Sequence, residues 1–226
     1  MNELLATKVP DGLPHRLAAM TEPLAVGVHA VAKSGIAAGD SALVVGLGPV
    51  GLACIASLKM LGVGPIVGAD FSPARRSLAE HLGCDEIVDP AVERPIEAWR
   101  RIDGTTPLVV FEAVGVPGMI EHTMRMAPKG SRILVVGACM QEDRIPPMVG
   151  IGKELSLQFA LGYEPHEFAA ALDAIATERV DLAPLVTGVV DIDGIPTAFT
   201  DLGNPEAHAK ILVEPGNRPL RRVLPV

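Results

Sequence analysis

Aromatic side chains are scarce in this chain, with one Trp, one Tyr and five Phe in 226 residues. A core with so few rings must be built from Val, Ile, Leu and Ala, since 49% of the chain is hydrophobic. That composition suits parallel strands covered on both faces, and the length is ample for a well-buried core. Cysteine is scarce too. Cys54, Cys84 and Cys139 stand apart with no C-x-x-C, so neither a disulfide framework nor a structural zinc site can be read, and a reducing, cytoplasmic setting is expected. Basic clusters are missing beyond pairs such as Arg75-Arg76 and Arg221-Arg222, and the net charge is -8. This argues against nucleic acid or an anionic membrane as partner and for a small molecule. Met1 to Pro10, with Glu3 and Lys8, has no apolar h-region, so no secretory signal is expected. There is no repeat, no low-complexity tract and no H-E-x-x-H. The six histidines (His15, His29, His81, His122, His166 and His208) are expected to be structural or solvated.

What is present centres on Ser41 to Asp70, SALVVGLGPVGLACIASLKMLGVGPIVGAD. Ser41 to Val45 reads as a strand. Gly46, Gly48, Pro49, Val50 and Gly51 follow as G-x-G-x-x-G where an apolar helix pattern begins. Gly46 permits the tight turn, Gly48 lets a pyrophosphate approach the backbone, and Gly51 lets the helix lie close to its strand. A pyrophosphate would then rest on free N–H groups at the positive end of the helix dipole. Asp70 closes the next apolar run nineteen positions after Gly51, where a carboxylate can accept hydrogen bonds from adenosine ribose hydroxyls. A bare structural turn is the bland reading, but the strand, turn, helix and acid together favour a dinucleotide. Eighteen uncharged residues, Ser41 to Leu58, also raise a membrane span. The glycines, the proline and the change of period argue instead for a buried βα unit.

Along the chain, Met1 to Arg16 reads as turns and extended chain, and Thr21 as the cap of a helix running to Gly35. Helices are expected over Ser72 to Leu82, Pro95 to Ile102, Pro117 to Met126 and Pro165 to Ala176. Strands are expected at Glu86 to Val88, Leu108 to Phe111, Arg132 to Val136, Leu155 to Phe159, Val186 to Val190 and Ile211 to Val213. Strands alternating with helices imply an α/β, doubly wound parallel sheet of the Rossmann type, with six main strands in the order 3-2-1-4-5-6. Ligands would lie beyond the carboxyl ends of strands one and four.

The run from Thr21 to Val26 with His29-Ala30-Val31 resembles the cofactor half of zinc-type medium-chain alcohol dehydrogenases. So do GDSALVVGLGPVGL, DFSPARRSLAEHLGCDEIVDP, VVFEAVGVPG, PKGSRILVVG and KILVEP. The likeness is closest to the sorbitol and threonine dehydrogenase branch and extends from about Pro10 to Pro215. It implies a two-domain enzyme with zinc and substrate in an N-terminal domain and NAD in a Rossmann domain, hydride passing from an alcohol carbon to nicotinamide C4. It also implies a division into a lead-in over 1–20, an NAD-binding domain over 21–185, and a C-terminal segment over 186–226 that returns to the other domain.

The segment that would carry the zinc cysteine and the histidine-glutamate pair is not in this sequence, and Glu22 is what matches the metal neighbourhood. Glu22 is either close to zinc in a complete enzyme or simply an acid in the first helical turn. One carboxylate cannot replace the roughly three protein ligands a catalytic zinc needs. By the same resemblance Arg75 lies over the adenosine, Val114, Gly115, Val136 and Gly137 near the nicotinamide, and Leu161 to Tyr163 beside its ribose. The alternative is that these are ordinary strand ends. Asp70 would repel a 2′-phosphate, so NAD is preferred over NADP, with Arg75 and Arg76 partly offsetting this.

Three readings stay open. The chain is the NAD-binding portion of an alcohol or polyol dehydrogenase, or a free-standing dinucleotide-binding module without activity, or, least favoured, an S-adenosylmethionine methyltransferase. Thr21 to Val31 and the region near Ile211 are expected to expose apolar side chains and to favour a homo-oligomer.

Overall fold

The computed structural model describes residues 6–204 and 206–216; Glu3 and the Arg221-Arg222 pair lie outside the described residues. Six strands make one parallel sheet: β1 (Ser41–Val45), β2 (Ile66–Ala69), β3 (Glu86–Val88), β4 (Leu108–Glu112), β5 (Arg132–Val135) and β6 (Ser156–Phe159). Their order is β3-β2-β1-β4-β5-β6, as the alternation of elements predicts. In register, β1 sets Ala42 opposite Ile66 on one side and Val109 on the other.

Because successive side chains of a strand point to opposite faces, β1 feeds two cores. Ala42 and Val44 pack with Leu24, Leu52, Ile55 and Ile175, while Leu43 and Val45 pack with Ile96, Trp99 and Met124. Each large side chain so buried is worth about 1.5–3 kcal/mol. The indole Nε1 of buried Trp99 donates to Ser41 Oγ at 2.7 Å, so no polar atom of the ring is stranded.

The covering helices are α1 (His15–Ala18), α2 (Thr21–Ser34), α3 (Pro49–Leu61), α4 (Pro73–His81), α5 (Pro95–Ile102), α6 (Met119–Met126), α7 (Pro147–Lys153), α8 (Pro165–Ala176) and α9 (Ile195–Asp201). Proline in the first turn starts α3, α4, α5 and α8, where its missing N–H costs nothing. Beyond the main sheet, β7 (Val186–Val190) and β8 (Lys210–Val213) pair in parallel as a separate two-stranded sheet. Leu212 still packs into the larger core, and Arg16 pairs with Glu214 at 2.8 Å.

The structure departs from the sequence reading in four places. The stretch read as turns and extended chain ends in α1. Thr21 is the first residue of α2, not its cap, and its hydroxyl donates to the Ala18 carbonyl at 2.7 Å. Helices α7 and α9 were not foreseen. Gly150 and Gly152 weaken the pattern of α7, and α9 buries only Ala198. Last, α2 does not present an exposed apolar face: Leu24, Ala25, Ala30 and Val31 are buried, and Ile211 is half-buried. The reason is close packing, since a Cβ at Gly27 would overlap the Ala53 backbone, so α2 lies directly on α3.

Candidate dinucleotide site

The glycine turn joins β1 to α3. Gly46 donates its N–H to the Ala69 carbonyl at 2.9 Å and holds φ +91°, a conformation that favours glycine. Leu47 then turns fully inward to the core. Gly48 caps α3 with extended backbone, and nothing lies within 4 Å of where its Cβ would be. Pro49 and Val50 form the first helical turn, whose N–H groups have no partners within the helix. A Cβ at Gly51 would overlap the Gly46 carbonyl oxygen, so this position fixes how closely helix and turn meet. The result is an open, electropositive floor above Gly48.

Asp70 follows β2 and is only 10% exposed at its side chain. Its Oδ2 accepts the Leu47 N–H and its Oδ1 accepts the Ser72 N–H, each at 2.8 Å. The carboxylate therefore ties the glycine turn to the end of β2. The arginine pair divides its work. Arg75 sets Nη1 3.7 Å from Asp70 Oδ2, and its Nε is buried without a hydrogen-bond partner among the described residues. Arg76 turns to the carbonyls of Asp70 and Phe71, at 2.8 Å each, and to Asp89 at 3.1 Å. Arg75 lines the cavity described next, whereas Arg76 is engaged by these carbonyls and by Asp89.

Gly46, Asp70, Arg75 and Val114 line one cavity of about 380 Å³ at the carboxyl ends of β1, β2 and β4. Phe71, Met119, His122 and Arg94 are among its other walls. A slot with apolar sides and a carboxylate at one edge suits a flat base joined to a hydroxylated sugar. Sequence reasoning missed these four. Phe71 had a usable signal, because it directly follows the acid at a strand end. His122 had none, because only tertiary packing brings α6 to the cavity. A larger hollow of about 930 Å³ opens beside Arg16, Ile192 and Glu214, and no candidate residue lines it.

The other candidates are placed as follows. Val114 and Gly115 follow β4, and Gly115 (φ +72°) sits so close to Gly137 and Ala138 that a Cβ on it would lie 2.6 Å from the Ala138 nitrogen. Val136 packs on the larger core. Leu161, after β6, is 93% exposed and lines none of the cavities above. Glu22 is exposed in the first turn of α2, while its neighbours Pro23 and Leu24 share a small hollow with Pro49, near the start of α3.

The donor set does not fit zinc. Among the described residues no group of three His, Cys, Asp or Glu side chains comes together to hold a metal ion, and Glu22 offers one carboxylate. Burial pushes the Cys54 and Cys84 thiols up to about 12, which keeps both un-ionised near neutrality. Among the described residues, no helix is long and apolar enough to cross a membrane.

The family model described as zinc-binding dehydrogenase matches residues 49–177. An uncharacterized zinc-type alcohol dehydrogenase-like protein of Haemophilus influenzae is 31% identical over 92% of this chain and 60% of its own length. Sorbitol dehydrogenase of Ovis aries is 30% identical over 85% of this chain and 55% of its own. The crystal structure of 2R,3R-butanediol dehydrogenase from Bacillus subtilis superposes with a TM-score of 0.81 at 32% identity, covering 93% of this chain and 60% of that one. This chain thus spans 55–60% of the length of these proteins. The glycine turn, the sheet order and the matched family model agree, and the chain belongs to the zinc-binding dehydrogenase family.

Proposed function

We propose that this chain is the NAD-binding portion of a zinc-dependent alcohol or polyol dehydrogenase. In that division residues 1–20 lead in, 21–185 bind the cofactor, and 186–226 return toward the substrate-binding part. The observation that carries the reading is that Gly46, Asp70, Arg75 and Val114, which follow three different strands of the sheet, border one cavity. When bound, NAD would supply the chemistry by accepting hydride at nicotinamide C4. The chain's own share is binding and orientation. The α3 amides hold the pyrophosphate, Asp70 accepts from the ribose hydroxyls and disfavours a 2′-phosphate, and Phe71 and Met119 flank the base. Relatives that act on sorbitol and butanediol support a small alcohol as substrate.

The zinc of such an enzyme would rest on ligands other than the described residues, with Glu22 at most adjacent. That same donor set favours a second reading, a dinucleotide-binding module without activity of its own.

Titration of the purified chain with NADH, NADPH and S-adenosylmethionine, followed by calorimetry and nicotinamide fluorescence, tests the proposal. NADH binding tighter than the other two is the expected result. Absence of heat and of any fluorescence change with NADH would overturn it. Alcohol oxidation by the chain supplied with NAD and zinc would decide against the inactive module.

A further inference from the structure

The cavity that Asp70 borders has polar groups on more than one side. Asp70 and Arg75 come from the end of β2 and from α4, Arg94 is the capping residue of α5, and His122 lies on α6. The first pair is already committed. Asp70 spends Oδ1 on the Ser72 N–H and Oδ2 on the Leu47 N–H, and Arg75 Nη1 stands 3.7 Å from Oδ2. The second pair is not. Arg94 Nη1 is 3.8 Å from Glu97, too far for a hydrogen bond, and the ring of His122 has no hydrogen bond or ion pair among the described residues.

These two uncommitted side chains state what a ligand in the slot must offer. A guanidinium only donates, so Arg94 calls for an acceptor, whereas an unprotonated imidazole nitrogen takes a donor. Charge narrows the choice further. Arg75 and Arg94 set two guanidiniums against the one carboxylate of Asp70, so the slot is unfavourable to a cationic ring. Of the two bases in a dinucleotide, oxidised nicotinamide carries a positive ring and no ring acceptor. Adenine is uncharged, has acceptor ring nitrogens and carries an amino donor. Adenine meets both demands.

We infer that Arg94 and His122 are specificity-determining residues that select the base held in this slot: a ring nitrogen of adenine accepts from Arg94, and the adenine amino group donates to His122. The inference rests on the dinucleotide reading above. Val114, in the wall of the same cavity, then borders the adenine. The distinguishing consequence is discrimination between bases. Replacing the amino group by a carbonyl oxygen, as in hypoxanthine, removes the donor that His122 takes.

The experiment measures binding of NADH, of its reduced hypoxanthine analogue, of AMP and of nicotinamide mononucleotide to the wild-type chain, to His122→Ala and to Arg94→Met. The wild type is expected to bind NADH about tenfold more tightly than the hypoxanthine analogue, and AMP at least about tenfold more tightly than nicotinamide mononucleotide. In His122→Ala the preference for NADH over the analogue shrinks to within about twofold, because the group that reads the amino position is gone. In Arg94→Met, NADH and AMP weaken together by about tenfold. Both side chains are exposed, so the variants are expected to melt as the wild type does. NADH binding without preference between the two bases overturns the inference while leaving cofactor binding intact. So does a preference that survives in His122→Ala, an Arg94→Met chain with wild-type affinity for AMP, or nicotinamide mononucleotide bound as tightly as AMP. Failure of the wild-type chain to bind NADH at all would instead remove the functional reading itself.

Discussion

His29 Nδ1 lies 2.8 Å from Glu167 Oε2, joining α2 to α8 across 138 positions of sequence. The same carboxylate oxygen accepts the Glu164 N–H at 2.7 Å, closing the capping box that starts α8. One oxygen therefore anchors the helix that covers the core and fixes the exit of the turn carrying Leu161. Both side chains are largely withdrawn from water, so the contact is not a screened surface pair.

His29→Ala should therefore lower stability by about 1–3 kcal/mol, the cost of leaving a buried acceptor short of a partner. Thermal melting measures the loss, and hydrogen exchange at the Glu164 amide localises it. A melting temperature equal to wild type with unaltered Glu164 exchange would show that the pair carries no load.

Asp70 has two duties, which make its substitution informative. Asp70→Ala removes the charge that opposes a 2′-phosphate, and the NADPH-to-NADH affinity ratio should rise by about tenfold. It also removes the acceptor for Leu47 and Ser72, costing about 1–3 kcal/mol of stability. Arg75, with its unpaired Nε at the same edge, becomes the dominant charge there. Competitive titration of the two cofactors checks the ratio, and an unchanged ratio would take Asp70 out of its assigned role.

The main sheet was readable because each strand is a short β-branched or apolar run between turn residues, and because helices recur between them. Gly46, Gly48, Gly51 and Asp70 were readable because their spacing is a backbone requirement, not a side-chain preference. What composition and spacing do not carry is the direction in which a side chain turns. Arg75 and Arg76 are adjacent and alike, yet one faces the cavity and the other caps carbonyls. Glu112 lies just past the strand read over Leu108 to Phe111, and only the hydrogen bonds it accepts from Val114, Gly115, Val136 and Gly137 give it work. The apolar stripe of α2 was visible, but its partners were not, since Gly27 reads the same whether a helix packs on it or water does.

Cys54 and Cys84 set a pH dependence. Unfolded, a thiol ionises near its ordinary value of 9.0, whereas burial in the folded chain pushes both up to about 12. Between these values the folded state binds more protons than the unfolded one, so stability falls as pH rises through this window and is unaffected below it. Each thiol contributes a slope of about 1.4 kcal/mol per pH unit there. Urea melts of Cys54→Ala and of wild type from pH 8 to 11 measure it, and the variant should show the shallower decline. Parallel curves would mean that Cys54 is not protected as its burial demands.

Gly48 and Gly51 provide the sharpest contrast, because the same substitution should do opposite things three residues apart. At Gly48 the backbone has φ −69° and the Cβ would meet nothing within 4 Å, so Gly48→Ala should fold with stability within about 0.5 kcal/mol of wild type. The added methyl would occupy the floor on which the pyrophosphate rests, and NADH affinity should fall at least about tenfold as amides at the helix start are blocked. At Gly51 the Cβ would overlap the Gly46 carbonyl, which belongs to backbone held by the Ala69 hydrogen bond. Gly51→Ala should therefore cost about 1–3 kcal/mol or more before any ligand is added. Melting curves with and without NADH separate the two effects. A Gly48→Ala chain that keeps full NADH affinity would mean that the diphosphate does not approach the backbone at this turn, and the assignment of the site would fail there.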